Sequence, residues 1–420
     1  MNYIPNDYLL EDERVKIEEK FIEKDKLFIV LKLIPKEYNE CPFCGSSKIL
    51  RNGHDFRYPT IELFPHYKNI VKLSIQRFKC SRCGKVFYDE SKLTLKNERI
   101  SRTTKFQILF DLKDDISFTY IAKKNNVSVD TVIDVFNNYV FPRKYPLSDT
   151  ICIDEFKNLK SAKGKYAFLI LDPINKKIIE VLESRLSKDI RKYFYNLGFE
   201  ERSKVRYVVS DMNDTYRYLV NRYFPNATYI VDAFHYLRYI EDAFNGVRIR
   251  VMNRYSTTDS KYKMLKRYWK ILSNYYIDLE TYDLTNYITG LKDTIDGIIT
   301  DSLLIDYELD EAYNLTQSFL KSMRELKYEN ANEYIDKWIN DLYHSEIPEF
   351  HSLYKMFSNW KCEIVNSFIR FGDKRLSNGP IEGINNHIKE IKRIAFGYRN
   401  FYNFRKRILY IINEEPPTKI

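Results

Sequence analysis

The stretch Thr150–Phe156, TICIDEF, decides how this chain folds. It is a β-branched and aromatic run with two acids, Asp154 and Glu155, set inside it. Strands are depleted in carboxylates, and burying one without a partner is costly. A charge at this point asks for compensation, and a metal ion is one compensator. Strand alternation puts Glu155 on the side of Ile151 and Ile153, and Asp154 on the side of Cys152. In a strand covered on both faces, alternation alone leaves either acid as the candidate.

After TICIDEF the chain alternates strands with helices. KYAFLILD and KIIEVLES are two more strands, joined by the turn Asp172-Pro173-Ile174-Asn175 as a hairpin. SKDIRKYFYNLG reads as a helix stopped by Gly198, VRYVVSD as a fourth strand and NDTYRYLVNRYF as a helix. ATYIVDAFHYL carries a fifth strand into a helix. Three antiparallel strands followed by two reached through helices predict a mixed α/β sheet. If the fourth strand lies beside the first, Asp211 of VVSDMND converges with Asp154 at one sheet edge.

From Phe244 to about Lys361 the pattern is helical throughout and rich in Tyr, Lys and Arg. Beyond it, proline suits the first helical position and glutamate the first turn, so Pro380-Ile381-Glu382 holds Glu382 near a helix start. Ile381, Ile384, Ile388 and Ile391 form an apolar stripe, and Glu382, Asn386, Lys389 and Arg393 the opposite one. That polar stripe fits a solvated surface, and equally a face that holds a metal and then a phosphate backbone.

Upstream, PRKYPLS (142–148) reads as a linker, since two prolines interrupt both helix and strand. Residues 103–141 read as three helices. Within them, Ile121 and Ala122 point inward, an Asn-Asn-Val-Ser turn follows, and Ser128 caps a helix in which Val129, Val132, Ile133 and Phe136 repeat at helical spacing. This is the pattern of a helix-turn-helix offering Ser128, Asp130, Thr131 and Asp134 to a groove, and also of an ordinary three-helix unit. Further upstream, LFIVLKLIP reads as a strand leading to Cys41 and Cys44 of CPFC, with Cys80 and Cys83 of FKCSRCGKVF to follow. Two such knuckles resemble a zinc ribbon, in which four thiolates close a tetrahedral structural Zn²⁺ site. The 35 residues between Cys44 and Cys80 require a strand-rich insertion. His54 and His66 lie in that gap, but four cysteines already complete the site. Cys152 and Cys362 read as buried thiols.

The 420 residues carry 68 Lys+Arg against 58 Asp+Glu, a net charge of +10, and 15% aromatic residues. A basic, Tyr-rich surface suits nucleic acid. No stretch approaches the roughly 18 apolar residues of a membrane span, and the acidic N-terminus lacks the apolar segment of a secretory signal, so a cytoplasmic protein is expected. Three carboxylates suit phosphodiester chemistry, in which two hard divalent cations about 3.5–4 Å apart serve an in-line displacement.

In order, a zinc ribbon, a helix-turn-helix, an IDEF strand, a VVSDMN strand, a DAFH motif, a long helical insertion and the block SN-x-x-IEG-x-N-x-x-IK-x-IKR-x-A-x-GYRN resemble the ISL3 family of bacterial insertion-sequence transposases. The resemblance covers nearly the whole chain and is most specific from Ser377 to Asn400. It implies a ribonuclease H-like catalytic domain interrupted by an all-α insertion, with an Asp, Asp, Glu triad at Asp154, Asp211 and Glu382 binding Mg²⁺ or Mn²⁺. It selects Asp154 over Glu155, which is left as a neighbour paired to a basic group. Asp232-Ala233-Phe234-His235 matches an Asp-x-x-His motif whose histidine assists near the scissile strand. A core histidine satisfied at a strand end fits the same position.

The implied domains are a zinc ribbon (1–95), a helix-turn-helix (96–148), the catalytic domain in two parts (149–243 and 362–420) and the helical insertion (244–361). The implied partners are double-stranded DNA, both terminal inverted repeats and target, and further copies of the chain, at least a dimer on DNA in the bacterial nucleoid. Lys389, Arg393 and Asn386 are expected at the phosphate backbone, and Ser128 and Thr131 in a groove. A DNA-binding regulator with an inactive α/β domain, or a nuclease that cuts without joining, fits the same order of modules.

Overall fold

A computed structural model describes residues 12–24, 26–60, 68–93, 100–274, 282–372, 374–394 and 400–415. His66 and the A-x-GYR portion of the C-terminal block lie outside the described residues. The chain divides into two compact units. One takes Met1–Lys144, Leu159–Ala162 and Asn386–Ile420, the other Tyr145–Asn158 and Lys163–Asn385.

The first unit opens with β1 (Val15–Glu23), β2 (Lys26–Leu33), β3 (Ile49–Arg57), β4 (Lys68–Cys80) and β5 (Val86–Tyr88), in the order β1-β2-β4-β3 with β5 on β4. The period-two pattern of LFIVLKL places Leu27, Ile29, Leu31 and Leu33 against Val71, Leu73 and Ile75 of β4. The pair β3 and β4 fills the long gap between the cysteine knuckles. Three helices follow, α1 (Arg102–Asp111), α2 (Phe118–Lys124) and α3 (Val129–Tyr139). Ser101, Ser117 and Ser128 each cap one by accepting the backbone N–H three residues on. Their shared core holds Ile108, Leu112, Ile121, Ala122, Val132, Val135 and Phe136. Val129, read above as part of the apolar stripe, is instead exposed, because it is the first helical residue and precedes the face that turns inward. Val135 completes the stripe.

The second unit is built on β6 (Thr150–Lys157), β7 (Tyr166–Asp172), β8 (Lys177–Leu182), α4 (Ser187–Asn196), α5 (Phe199–Ser203), β9 (Tyr207–Ser210), α6 (Asp214–Tyr223), β10 (Thr228–Val231) and α7 (Ala233–Met252). The sheet order is β10-β9-β6-β7-β8. β6, β7 and β8 are antiparallel neighbours, and β9 and β10 run parallel to β6. The Asp172 carboxylate accepts the N–H groups of Ile174 and Asn175 and so closes the β7–β8 turn. Phe168 of β7 packs on Phe194 of α4 and Tyr216 of α6, which cover one face of the sheet.

Next come α8 (Ser260–Arg267), α9 (Trp269–Ser273), β11 (Tyr282–Thr285), β12 (Lys292–Thr294), α10 (Ile295–Leu303), α11 (Tyr307–Glu325), α12 (Tyr328–His344), α13 (Pro348–His351), α14 (Tyr354–Asn359) and α15 (Lys361–Asn366). The expectation of an all-helical segment is corrected by the β11–β12 hairpin. Asn286 makes that turn, accepting the N–H groups of Ile288 and Thr289, and Gly290 closes it at φ 77°. The helical segment shares one core with the sheet, with Tyr236 of α7, Phe319, Trp338 and Phe357 in mutual ring contact. α7 is thereby fixed along its length.

A short hairpin, β13 (Arg370–Phe371) and β14 (Lys374–Arg375), leads to α16 (Gly379–Ile394), and α17 (Phe401–Asn413) ends the described chain. On α16 Ile381, Ile388 and Ile391 are buried and Ile384 half-buried, while Glu382, Asn386, Lys389 and Arg393 are exposed, as the two stripes require. α17 sets Tyr410 in the core of α1–α3 and buries two cations there. Lys406 Nζ donates to the carbonyls of Phe136 and Asn137 at the end of α3, and Arg407 to those of Asp114 and Ile116.

Candidate active site

Parallel pairing of Cys152 with Val209 sets Asp154 and Asp211 at the same level, each two residues further along its strand. Val231 pairs with Ser210, so Asp232 stands beside Asp211 in turn. Asp154, within β6, therefore stands level with Asp211 and Asp232, which follow directly on the C-terminal ends of β9 and β10. Alternation within β6 separates Asp154 from Glu155. Glu155 turns to the face of α6, where the Tyr216 hydroxyl donates to it and Arg185 pairs with it. Asp154 turns to the opposite face, where its Oδ1 accepts the Glu155 N–H at 2.7 Å and its Oδ2 accepts Asn385 Nδ2 at 2.6 Å.

Burial, with repulsion from Asp211, pushes the Asp154 carboxyl up to about 7. Asp211 Oδ1 accepts His235 Nε2 at 2.7 Å and Asn378 Nδ2 at 3.2 Å. Its Oδ2 has no protein partner among the described residues. The hydrogen bond to Asp211 raises the His235 imidazole above its ordinary value, and burial raises Asp232. A ligand atom each from Asp211, Asp232 and His235 lies within 4.8 Å of the others. Cys152 lies buried on this face, its thiol 3.7 Å from the Ser377 carbonyl and pushed upward by burial and by Asp232.

Glu382 sits in the first turn of α16, whose N–H groups at Ile381 and Glu382 both donate to the Asn378 carbonyl. It lies in the chain between Asn378, which precedes the helix, and Asn385, the two residues that bond Asp211 and Asp154. Its carboxylate is exposed and makes no hydrogen bond or ion pair among the described residues. The sequence reading gave no role to Asp232, Asn378 or Asn385. Asp232 was legible as the residue that ends β10 as Asp211 ends β9. The asparagines carried no such signal, since Asn378 precedes α16 and Asn385 falls between its apolar and polar stripes.

The donors fit a divalent cation. Carboxylate and amide oxygens are hard ligands, and the Oδ1 atoms of Asn378 and Asn385 are buried acceptors with no partner among the described residues. In the first unit, Sγ of Cys41 lies 3.8 Å from that of Cys83, and Cys44 3.7 Å from Cys80. Bonds of about 2.3 Å to a tetrahedral zinc give an edge of about 3.8 Å, so the four sulfurs fit Zn²⁺. Each knuckle turns back through a glycine at positive φ, Gly45 and Gly84, whose N–H reaches the carbonyl of Cys41 or Cys80. Backbone N–H groups of Cys83 and Arg82 hold the Cys80 thiol down at about 6. His54 is exposed on β3 and outside this cluster.

Lys389 Nζ donates to Asn386 Oδ1 at 3.1 Å, and Arg393 is exposed. Ser128 and Thr131 line a groove of about 620 Å³ in the first unit, with Asp134 and Asn138 of α3 and with Thr60, Ile100, Lys105 and Tyr139. No helix among the described residues is long and apolar enough to cross a membrane.

The sheet thus sets aspartates level on adjoining strands, with an exposed glutamate at the start of α16, a set of hard oxygen donors. The ISL3 family profile, described as transposase, matches residues 151–408, more than half of the chain, and the chain belongs to that family of DDE transposases. The transposase for insertion sequence element IS1001 of Bordetella parapertussis is 22% identical over 256 residues, 60% of this chain and 57% of its own. That for IS1557 of Mycobacterium tuberculosis is 23% identical over 267 residues, 59% of each. A Lactococcus lactis protein named ATP-dependent protease is 36% identical over 98 residues, 23% of this chain and 28% of its own. The chain thus spans between about a quarter and three-fifths of the length of these curated relatives.

Proposed function

We propose that the chain is the transposase of an insertion sequence, which binds the terminal inverted repeats, cuts DNA at the element ends with Mg²⁺ or Mn²⁺, and joins the freed 3′-hydroxyl to target DNA. The observation that carries this reading is that Asp154 and Asp211, level on adjoining strands, bond Asn385 and Asn378, which lie on either side of Glu382 in the chain, Asn378 just before α16 and Asn385 within it. When bound, divalent cations supply activation of the attacking oxygen and neutralisation of charge on the leaving one. Asp154 and Asp211 hold that charge from the sheet, and Glu382 adds its free carboxylate from the helix. His235, whose protonated form the hydrogen bond to Asp211 favours, orients that carboxylate and, when protonated, offers a positive edge to a phosphate. Lys389 and Arg393, on one exposed stripe, contact the phosphate backbone, with Asn386 beside them.

In the same reading the sheet is ribonuclease H-like, the four cysteines hold structural Zn²⁺, and α2–α3 is a helix-turn-helix with Ser128 and Thr131 toward DNA. Two ends processed together call for at least a dimer, acting in the cytoplasm at the nucleoid. Incubating the full chain with end-bearing DNA, target plasmid and Mg²⁺ tests the reading. Cleaved ends and joined products are expected. Cleavage without joining under every condition would leave a nuclease, and binding without cleavage a regulator.

A further inference from the structure

We propose that Asn378 and Asn385 are positioning residues, which hold Asp211 and Asp154 in orientation for a divalent cation and set how tightly that cation binds. The inference rests on the reading of these aspartates as cation ligands. Both asparagines are buried, at 1% and 6% exposure. Each spends its amide N–H on one aspartate, Asn385 on Asp154 at 2.6 Å and Asn378 on Asp211 at 3.2 Å. Each leaves its Oδ1 buried and without a partner among the described residues. A buried acceptor left unmatched is costly; Asn125 shares this state where it donates to Asp111, so the state alone does not single out Asn378, just before α16, and Asn385, within it. What the two share is a carboxylate of the same site.

Like charges level on adjoining strands repel and turn away from one another unless something fixes them. A neutral donor fixes a carboxylate without cancelling its charge, so the cation meets ligands already oriented. Asn378 adds a second hold, since its backbone N–H reaches the Asp232 carboxylate. Because its carbonyl also accepts the first N–H groups of α16, the start of the Glu382 helix and the aspartate ends are fixed by one residue.

The test is Mn²⁺ binding to the full chain without DNA, followed by the electron paramagnetic resonance signal of free Mn²⁺, with cooperative melting as the control for folding. Asn385→Leu and Asn378→Leu are expected to raise the Mn²⁺ midpoint by about tenfold or more, the usual effect of removing an orienting partner. Asn385→Ala adds no bulk and carries the same expectation should leucine not fold. Asp154→Asn, titrated alongside, is expected to bind far more weakly than either. Wild-type midpoints in the folded asparagine variants, with binding lost in Asp154→Asn, overturn the positioning role and leave the carboxylate reading standing. A wild-type midpoint in Asp154→Asn overturns the carboxylate reading and the positioning role with it.

Discussion

Asp154 and Glu155 are chain neighbours whose environments differ because successive residues of β6 face opposite sides of the sheet. Glu155 is a structural acid, tied to Tyr216 and Arg185. Asp154 is held close to its neutral form by burial and by Asp211, with a folded value of about 7 against an ordinary 3.8. A carboxyl raised on folding stabilises the chain fully below its unfolded value and loses that contribution as pH rises through the folded one. Between about pH 4 and 7 the metal-free chain should therefore lose stability from this group. Thermal melts of the metal-free chain should show Asp154→Asn with a shallower decline across that window and a higher melting temperature at pH 8, and added Mg²⁺ should narrow the gap by stabilising the wild type. Equal slopes would show that Asp154 is not the strained acid. The pair also marks where reading the sequence stopped. Alternation separated the two acids, but which face met the site depended on α6 and α16, which are remote in sequence.

At the scale of elements, α16 was the most legible part of the chain. Its isoleucines and its polar stripe fall on the faces that their spacing requires. The same count missed Asn385, because an amide between apolar and charged stripes belongs to neither until its partner is known. The β11–β12 hairpin was illegible for a different reason, since its turn rests on an Asn286 side chain and one glycine within a Tyr- and Lys-rich stretch that otherwise suits helix. If the polar stripe follows a phosphate backbone, Lys389→Ala and Arg393→Ala should each weaken DNA binding almost regardless of sequence. Each should also reduce the slope of log affinity against log salt by about 1. Binding isotherms at several salt concentrations measure this, and an unchanged slope would assign the stripe to solvent.

For the whole molecule, strand type and sequence order predicted the mixed sheet, and parallel pairing of β6 with β9 makes Asp154 and Asp211 neighbours. The destination of α17 was not predictable, because nothing in its sequence marks Lys406 and Arg407 as the buried cations that the open carbonyls of α3 and of the α1–α2 loop take. The cysteine pairs, 35 residues apart, meet because β3 and β4 return the chain on itself. The full chain should carry about one zinc, lost together with the melting transition of the first unit in Cys80→Ser, and metal analysis with calorimetry checks it. The central claim is that Asp154, Asp211 and Glu382 act as one cation-dependent site. Its most direct test is Mg²⁺-dependent cleavage of end-bearing DNA by Asp154→Asn, Asp211→Asn and Glu382→Gln, each checked for folding and DNA binding. Each should bind DNA as the wild type does and cut at least about a hundredfold more slowly, as expected when a group that stabilises charge in the transition state is removed. Full cleavage by any one of the three would contradict the assignment.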